Sequence, residues 1–238
     1  MRAYAKTDIG KVRETNEDSY ISASPLFAVA DGMGGHVAGE IASRLATDTL
    51  NQYVANHAGE PVSAALLETA IHEANSLIFR LAQEKSECAG MGTTITAVYV
   101  SGSKIFWGHV GDSRLYLLRG DELRQITDDH SLVGALVRSG SISKEEAHTH
   151  PQRNILTRAV GTDEHVKVDS GEIDLVPGDS LLLCTDGLTT MVRDEDIQQG
   201  LSAGPADGDA CMEALVAAAN TAGGYDNITA ILLRPGEG

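Results

Sequence analysis

The chain has 238 residues, 42% of them apolar and 25 of them glycine, which is enough material for a folded core and excludes disordered and collagen-like classes. Eighteen Lys and Arg stand against 34 Asp and Glu, a net charge of −16, so nucleic acid and anionic membranes are excluded as partners. Cys88, Cys184 and Cys211 are an odd, sparse set that fits a reducing compartment rather than a disulfide framework, no apolar run approaches the ~18 residues of a membrane span, and Met1–Gly10 lacks the apolar stretch of a secretory signal.

Taken in order, Tyr4–Thr7 reads as a strand, followed by the polar stretch Arg13–Asp18. An apolar run, Leu26–Ala30, meets Asp31-Gly32-Met33-Gly34-Gly35. Ile41, Leu45, Thr49 and Tyr53 recur at helical spacing, as do Leu67, Ala70, Ile71, Ala74, Leu77, Ile78 and Leu81. Gly59-Glu60-Pro61 separates the two, which predicts an antiparallel helix pair. Short β runs follow at Thr94–Val100, Lys104–Val110, Arg114–Leu118 and Glu122–Ile126. Ser101-Gly102-Ser103 and Arg119-Gly120-Asp121 divide them as hairpin turns, which predicts an antiparallel meander. Asp128–Gly161 is a mixed, polar excursion with a capping box at Ser143 and Glu146. Strands resume at Val166–Leu175 and Ser180–Thr185, helices at Asp194–Ser202 and Asp209–Thr221, and Asn227–Leu233 is a last strand. Helices in pairs and strands in runs make the fold class α+β.

The acidic residues carry the functional signal. Asp31 and Asp186 each follow an apolar strand and precede Gly; Asp112 follows a strand through Gly111; Asp226 sits just before the last strand. Any one of these is an ordinary turn. Four carboxylates at the ends of core strands can converge on one cleft, and grouped carboxylates repel unless a hard divalent cation joins them. Glu17 and Asp18 add two more, and the planar fork of Arg13 suits a phosphate. Gly32-Met33-Gly34-Gly35 is not a dinucleotide-binding turn: Val37 stands where a third glycine is needed, and two helices follow where a βαβ unit needs a strand. There is no Walker A sequence, and no Cys has an Arg six positions on. Met91-Gly92-Thr93-Thr94 reads as a close backbone approach leading into a strand. Of the histidines, His36 is near Asp31, His109 packs within its strand, and His148 and His150 lie in a polar loop.

These residues together resemble the metal-dependent Ser/Thr protein phosphatases of type 2C, in their compact bacterial branch. The matching motifs run in family order: Arg13-Glu14-Thr15-Asn16-Glu17-Asp18, Asp31-Gly32-Met33-Gly34-Gly35-His36, Met91-Gly92-Thr93-Thr94, His109-Val110-Gly111-Asp112-Ser113-Arg114, Asp129-His130-Ser131-Leu132-Val133, His150-Pro151-Gln152, Thr185-Asp186-Gly187-Leu188 and Gly223-Gly224-Tyr225-Asp226-Asn227. The resemblance implies one catalytic domain over residues 1–238, a four-layer α/β/β/α sandwich of two central antiparallel sheets flanked by helix pairs, with a flap over about 128–161. It implies two Mn²⁺ or Mg²⁺ ions. Asp31 bridges them and the Gly32 carbonyl binds one; Asp186 and Asp226 bind the other; Glu17 and Asp18 hold metal-bound waters or one metal directly. Asp112 with Asp186 makes a weaker third site, Arg13 binds the substrate phosphate, and Asn227 orients Asp226. A metal-bridging hydroxide then attacks phosphorus with no phosphoenzyme. Asp18, Asp31, Asp186 and Asp226 total −4, which two divalent cations neutralise. Met33 stands where other branches carry a His as general acid, which leaves that role to His36 or a metal-bound water. Thr190 stands where some members have a further third-site Asp. The implied partners are phosphorylated proteins, including a Ser/Thr kinase. A free-standing cytoplasmic monomer is expected, since only Pro235-Gly236-Glu237-Gly238 follow the last strand. The alternatives are an inactive metal- or phosphoprotein-binding module and a hydrolase of small phosphoesters.

Overall fold

The computed structural model describes residues 1–35, 38–204 and 207–234. Eleven strands are found there: β1 Arg2–Asp8, β2 Asp18–Ala23, β3 Leu26–Met33, β4 Gly92–Thr93, β5 Ile95–Ser101, β6 Lys104–Val110, β7 Arg114–Arg119, β8 Glu122–Gln125, β9 Asp169–Asp174, β10 Ser180–Cys184 and β11 Ile228–Arg234. Seven α-helices accompany them: α1 Ala38–Asn56, α2 Ala64–Glu84, α3 Leu132–Arg138, α4 Lys144–Thr149, α5 Asp186–Thr189, α6 Asp194–Ala203 and α7 Gly208–Thr221. One sheet has the order β1-β11-β10-β7-β8 and the other β2-β3-β5-β6-β9, with β4 added to β3. All the pairings are antiparallel.

Strand periodicity explains the layers. On β3, Phe27 and Val29 point between the sheets, while Leu26 and Ala28 point to α1 and α2. On β10, Leu181 and Leu183 point inward, while Leu182 and Cys184 meet α6 and α7. Both faces are covered, so these strands read as continuous apolar runs rather than alternating ones. The result is four layers, helix, sheet, sheet and helix, as expected. Cys88, Cys184 and Cys211 are free and buried.

Three features differ from the expectation. The expected meander is two hairpins in different sheets: β5 pairs with β6 and β7 with β8, while β6 and β7 are not neighbours. The chain changes sheet at Gly111-Asp112-Ser113. Gly111 has φ +114°, and a Cβ there would lie 2.6 Å from the Thr94 side chain, so only glycine makes this crossing. Tight turns read the same whichever sheet the next strand joins. Second, the polar stretch leads into an unexpected strand, β2, an edge whose only fully buried residue is Ile21. Third, Asp186 opens the single-turn helix α5.

The excursion between β8 and β9 carries α3, whose cap Ser131 accepts from Gly134 N at 3.1 Å, and α4, with the expected capping box of Ser143 and Glu146. Its return leg pairs Val160 with Thr93 and Leu156 with Ser131. The structure thus ties this segment directly to the loop before β5.

Candidate active site

The acidic residues meet because of strand register. Asp18 at the start of β2 lies opposite Asp31 near the end of β3. Asp112 enters from the sheet crossing, Asp186 from the end of β10, and Asp226 from the turn before β11. Asp31 is raised in pKa by burial first and then by Asp18, Asp186, Asp112 and Asp226, so it feels all four of the other carboxylates. Asp31 and Asp186 are within hydrogen-bonding reach.

The backbone of Asp31 is clamped from Met91-Gly92-Thr93-Thr94. Thr94 Oγ1 accepts from Asp31 N at 2.9 Å, Thr93 Oγ1 donates to Asp31 O at 2.9 Å, and Thr94 N donates to the same carbonyl at 2.9 Å. Thr94 Oγ1 is also 2.7 Å from Ser113 Oγ, the neighbour of Asp112. The Thr94–Ser113 bond thus joins the backbone of Asp31 to the residue next to Asp112. Thr185, the residue before Asp186, donates to Asp18 Oδ2 at 2.9 Å and accepts from Thr229 N at 3.0 Å. Asn227 is buried and joins three segments: its Oδ1 accepts from Glu17 N at 2.8 Å, and its Nδ2 donates to Ile9 O and Thr15 O at 3.0 and 2.9 Å. Its own N–H donates to Asp226 Oδ1 at 2.9 Å.

The electrostatics of the cluster are unfavourable by themselves. Burial, then Asp186 and Asp129, hold Asp112 well above the carboxylate range. Burial pushes Asp18 up to about 7 and Asp186 up to about 6. Burial also raises Glu17. Asp18 Oδ1 and Asp186 Oδ1 are buried without a hydrogen-bond partner, although each residue keeps some exposure elsewhere. Buried oxygens of this kind cost free energy unless a proton or a cation occupies them. Carboxylates and a nearby backbone carbonyl are the donor set of Mg²⁺ and Mn²⁺, and no Cys lies among them. The residues therefore fit a hard divalent cation centre. Among the described residues no three His, Cys, Asp or Glu side chains are gathered tightly enough to enclose an ion as they stand. One cause is visible at Asp226, whose Oδ2 is held by Arg13 Nη2 at 2.8 Å. That bond, more than the neighbouring charges, raises the Arg13 pKa.

The structure thus brings Arg13, Glu17, Asp18, Asp31, Asp112, Asp186 and Asp226 into one region, with Gly32 beside Asp31 on β3. His36 lies outside the described residues. His109 is fully buried in β6, 2.8 Å from Thr96 Oγ1, and takes no part in the cleft. What the sequence reading missed is the work of the hydroxyls of Thr93, Thr94, Ser113 and Thr185; the available signal was their adjacency to Asp112 and Asp186 and to the strand after Met91-Gly92.

A cavity of about 460 Å³ opens beside the cluster between α3, α4 and the start of α6; Asp112 and Asp186 line its inner end, and Arg138, Arg153 and Arg193 its walls. The base of the excursion is anchored to the Asp112 loop: Gly111 N donates to His130 Nδ1 at 3.0 Å, and His130 Nε2 is 3.1 Å from Asp169, which also takes Arg158 at 2.8 Å.

Comparison with known proteins returns a consistent set. The family model described as protein phosphatase 2C matches residues 13–218. The serine/threonine phosphatase stp of Listeria innocua is 40% identical over 98% of this chain and 95% of its own length. The crystal structure of the Mycobacterium tuberculosis serine/threonine phosphatase PstP/Ppp superposes with a TM-score of 0.92 at 39% identity, covering 99% of each chain. A crystal structure of the PstP catalytic domain in complex with two manganese ions has a TM-score of 0.88 at 38% identity, covering 97% of this chain and 96% of that one.

Proposed function

This chain belongs to the protein phosphatase 2C family, and we propose on that premise that it is a protein serine/threonine phosphatase acting at the carboxylate cleft. The observation that carries the reading is the set of buried, partnerless carboxylate oxygens around Asp31. Keeping such a set ionised at neutral pH costs free energy, and bound cations relieve that cost. Asp31 and the Gly32 carbonyl, with Asp186 and Asp226, are assigned to two Mn²⁺ or Mg²⁺ ions, and Glu17 and Asp18 to their inner waters. Asp112 with Asp186 is assigned to a weaker third ion. When bound, these ions supply an activated water for in-line attack on phosphorus and positive charge for the phosphoryl oxygens.

The chain's own residues do the rest. Arg13 is exposed enough to receive a phosphoryl group, and its fork matches two of the oxygens. Its charge then stabilises the transition state as negative charge spreads over those oxygens. Thr94, Thr185 and Asn227 hold Asp31, Asp18 and Asp226 in place before substrate arrives, so little reorganisation remains for the reacting complex. The bond from phosphorus to the Ser or Thr oxygen breaks, a bond to water oxygen forms, and the leaving oxygen takes a proton. That proton is assigned to His36 or to a metal-bound water. No phosphoenzyme is required.

The reading extends to the whole chain as one catalytic domain over 1–238 with a flap at about 128–161. Its substrates are phosphoproteins, a Ser/Thr kinase among them, met by a cytoplasmic monomer; no helix of the described residues is long and apolar enough to cross a membrane. The test is phosphate release from a phosphothreonine peptide with added Mn²⁺ and with excess EDTA. Release that requires Mn²⁺ is expected. Release that persists in EDTA, or none from folded protein with Mn²⁺ or Mg²⁺, overturns the reading.

A further inference from the structure

Among the described residues seven large apolar side chains are exposed, and three of them, Ile9, Val12 and Tyr225, lie on the two loops that carry Arg13 and Asp226. Val12 is 59% exposed and Tyr225 61% exposed. Val12 precedes Arg13 in the chain, and Tyr225 precedes Asp226. Isolated exposed apolar residues need no explanation, but a group of them beside a functional side chain does.

The two loops form one rigid unit. Lys11 N donates to Gly224 O at 2.7 Å, and Asn227 Nδ2 holds Ile9 O. Asp8 Oδ1 accepts from Gly10 N at 2.8 Å and from Asn220 Nδ2 at 3.1 Å, which ties the first loop to the end of α7. Gly10 adopts φ +79°, and a Cβ there would lie 2.3 Å from Asp226 O, so the loops touch backbone to backbone. The Tyr225 ring lies over Gly223, where an added Cβ would be 2.7 Å from ring Cε2. The two side chains are therefore held out to solvent by structure around them, and a ligand pays little ordering entropy to use them.

The geometry points to an apolar shelf that receives a hydrophobic side chain of the substrate, one or two positions from the phosphorylated residue. This rests on the phosphatase reading, because Arg13 fixes where the phosphoryl group sits. An extended peptide advances about 3.3 Å per residue, so a residue one or two places away reaches the neighbours of Arg13 and Asp226. Lys11 is exposed in the same loop and would attract an acidic flanking residue, so the apolar contribution is read between substrates of equal charge. Val12 and Tyr225 are thus specificity-determining residues of the phosphatase, outside its chemistry.

The experiment compares two phosphothreonine peptides of the same charge, one with Leu and one with Ser at the flanking positions, using the Mn²⁺-loaded enzyme. Wild type is expected to favour the Leu peptide five- to ten-fold in kcat/KM, mainly through KM, which corresponds to about 1–1.4 kcal/mol for partial burial of one aliphatic side chain. V12S combined with Y225S is expected to bring the ratio close to one, and V12S alone to reduce it. A wild-type ratio near one with both peptides hydrolysed overturns the shelf and leaves the phosphatase reading intact. A preference that survives in the folded double variant also overturns it. Hydrolysis of neither peptide overturns the phosphatase reading and the shelf with it.

Discussion

Asp18→Asn tests whether the acidic cluster is a cost that the fold carries for its cations. Burial pushes Asp18 up to about 7, against an ordinary value of 3.8. A gap of about three pH units corresponds to ~4 kcal/mol once the group must ionise in the fold, at ~1.4 kcal/mol per unit. The sign follows from proton counting. Between pH 4 and 7 the unfolded chain releases this proton while the fold retains it, so metal-free stability falls as pH rises through that window. At pH 5 the cost is about 2 kcal/mol and by pH 8 it approaches ~4 kcal/mol. Asn removes the ionisation, and its carbonyl still accepts the bond from Thr185. Its amide can donate to neighbouring carboxylates. In EDTA at pH 8 the variant should melt about 8–16 °C above wild type, at ~2–4 °C per kcal/mol for a domain of this size. At pH 5 the gain should fall to about half of that. Saturating Mn²⁺ should narrow the gap at pH 8, since ligand at 100 times Kd adds about 2.7 kcal/mol to wild type and less to the variant. Scanning fluorimetry over pH, with and without Mn²⁺, reads all of this. A variant less stable than wild type in EDTA at pH 8, or one whose gain is the same at both pH values, would refute the ionisation argument.

Two further substitutions probe the scaffold. Asn227→Ala leaves Glu17 N, Ile9 O and Thr15 O without their present partner and should cost about 2–4 kcal/mol in urea unfolding, with Mn²⁺-dependent phosphate release reduced in the folded variant; an unchanged urea midpoint sinks this account. His109 is pushed down to about 4, chiefly by burial and next by His130, so from pH 6.5 down towards 4 the unfolded chain takes a proton that the fold refuses and stability is lost. That amounts to roughly 2 kcal/mol between pH 7 and 5, and His109→Gln should flatten the pH dependence of unfolding by this much; parallel pH profiles for the two proteins count against it.

The clustered acids were legible because strand ends are legible. Asp31 and Asp186 follow apolar runs buried on both faces, and such runs stand out whatever sheet they join. Their companionship was legible only as a possibility of convergence. The facing of Asp18 and Asp31 depends on β2, which shows one fully buried residue and so gives no strand signal. The entry of Asp112 depends on the chain leaving one sheet for the other at Gly111, and a Gly-Asp turn looks the same inside a hairpin. The anchoring of the excursion through His130, Asp169 and Arg158 joins residues distant in sequence, each of which reads alone as an ordinary polar side chain.

The hydroxyl clamps escaped notice for a more general reason, and it bears on how the site works. Thr is a common strand residue, so Thr93, Thr94 and Thr185 look like β propensity. In the fold Thr93 and Thr94 fix the backbone of Asp31, and Thr185 fixes one oxygen of Asp18. Were these acids held by Arg or Lys forks, their charge would be neutralised and their lone pairs filled. With hydroxyls holding the Asp31 backbone and a single oxygen of Asp18, Asp18 Oδ1 and Asp186 Oδ1 stay buried and open. Asp226 is the exception, held by Arg13, and both partners of that pair have a role in the proposed reaction. A cation drawing on Asp226 would compete with Arg13 for its carboxylate, and a phosphoryl group would compete with Asp226 for Arg13. In the proposed reaction, loading of the centre and binding of substrate would therefore be coupled favourably through one ion pair, since each loosens the contact that the other must break.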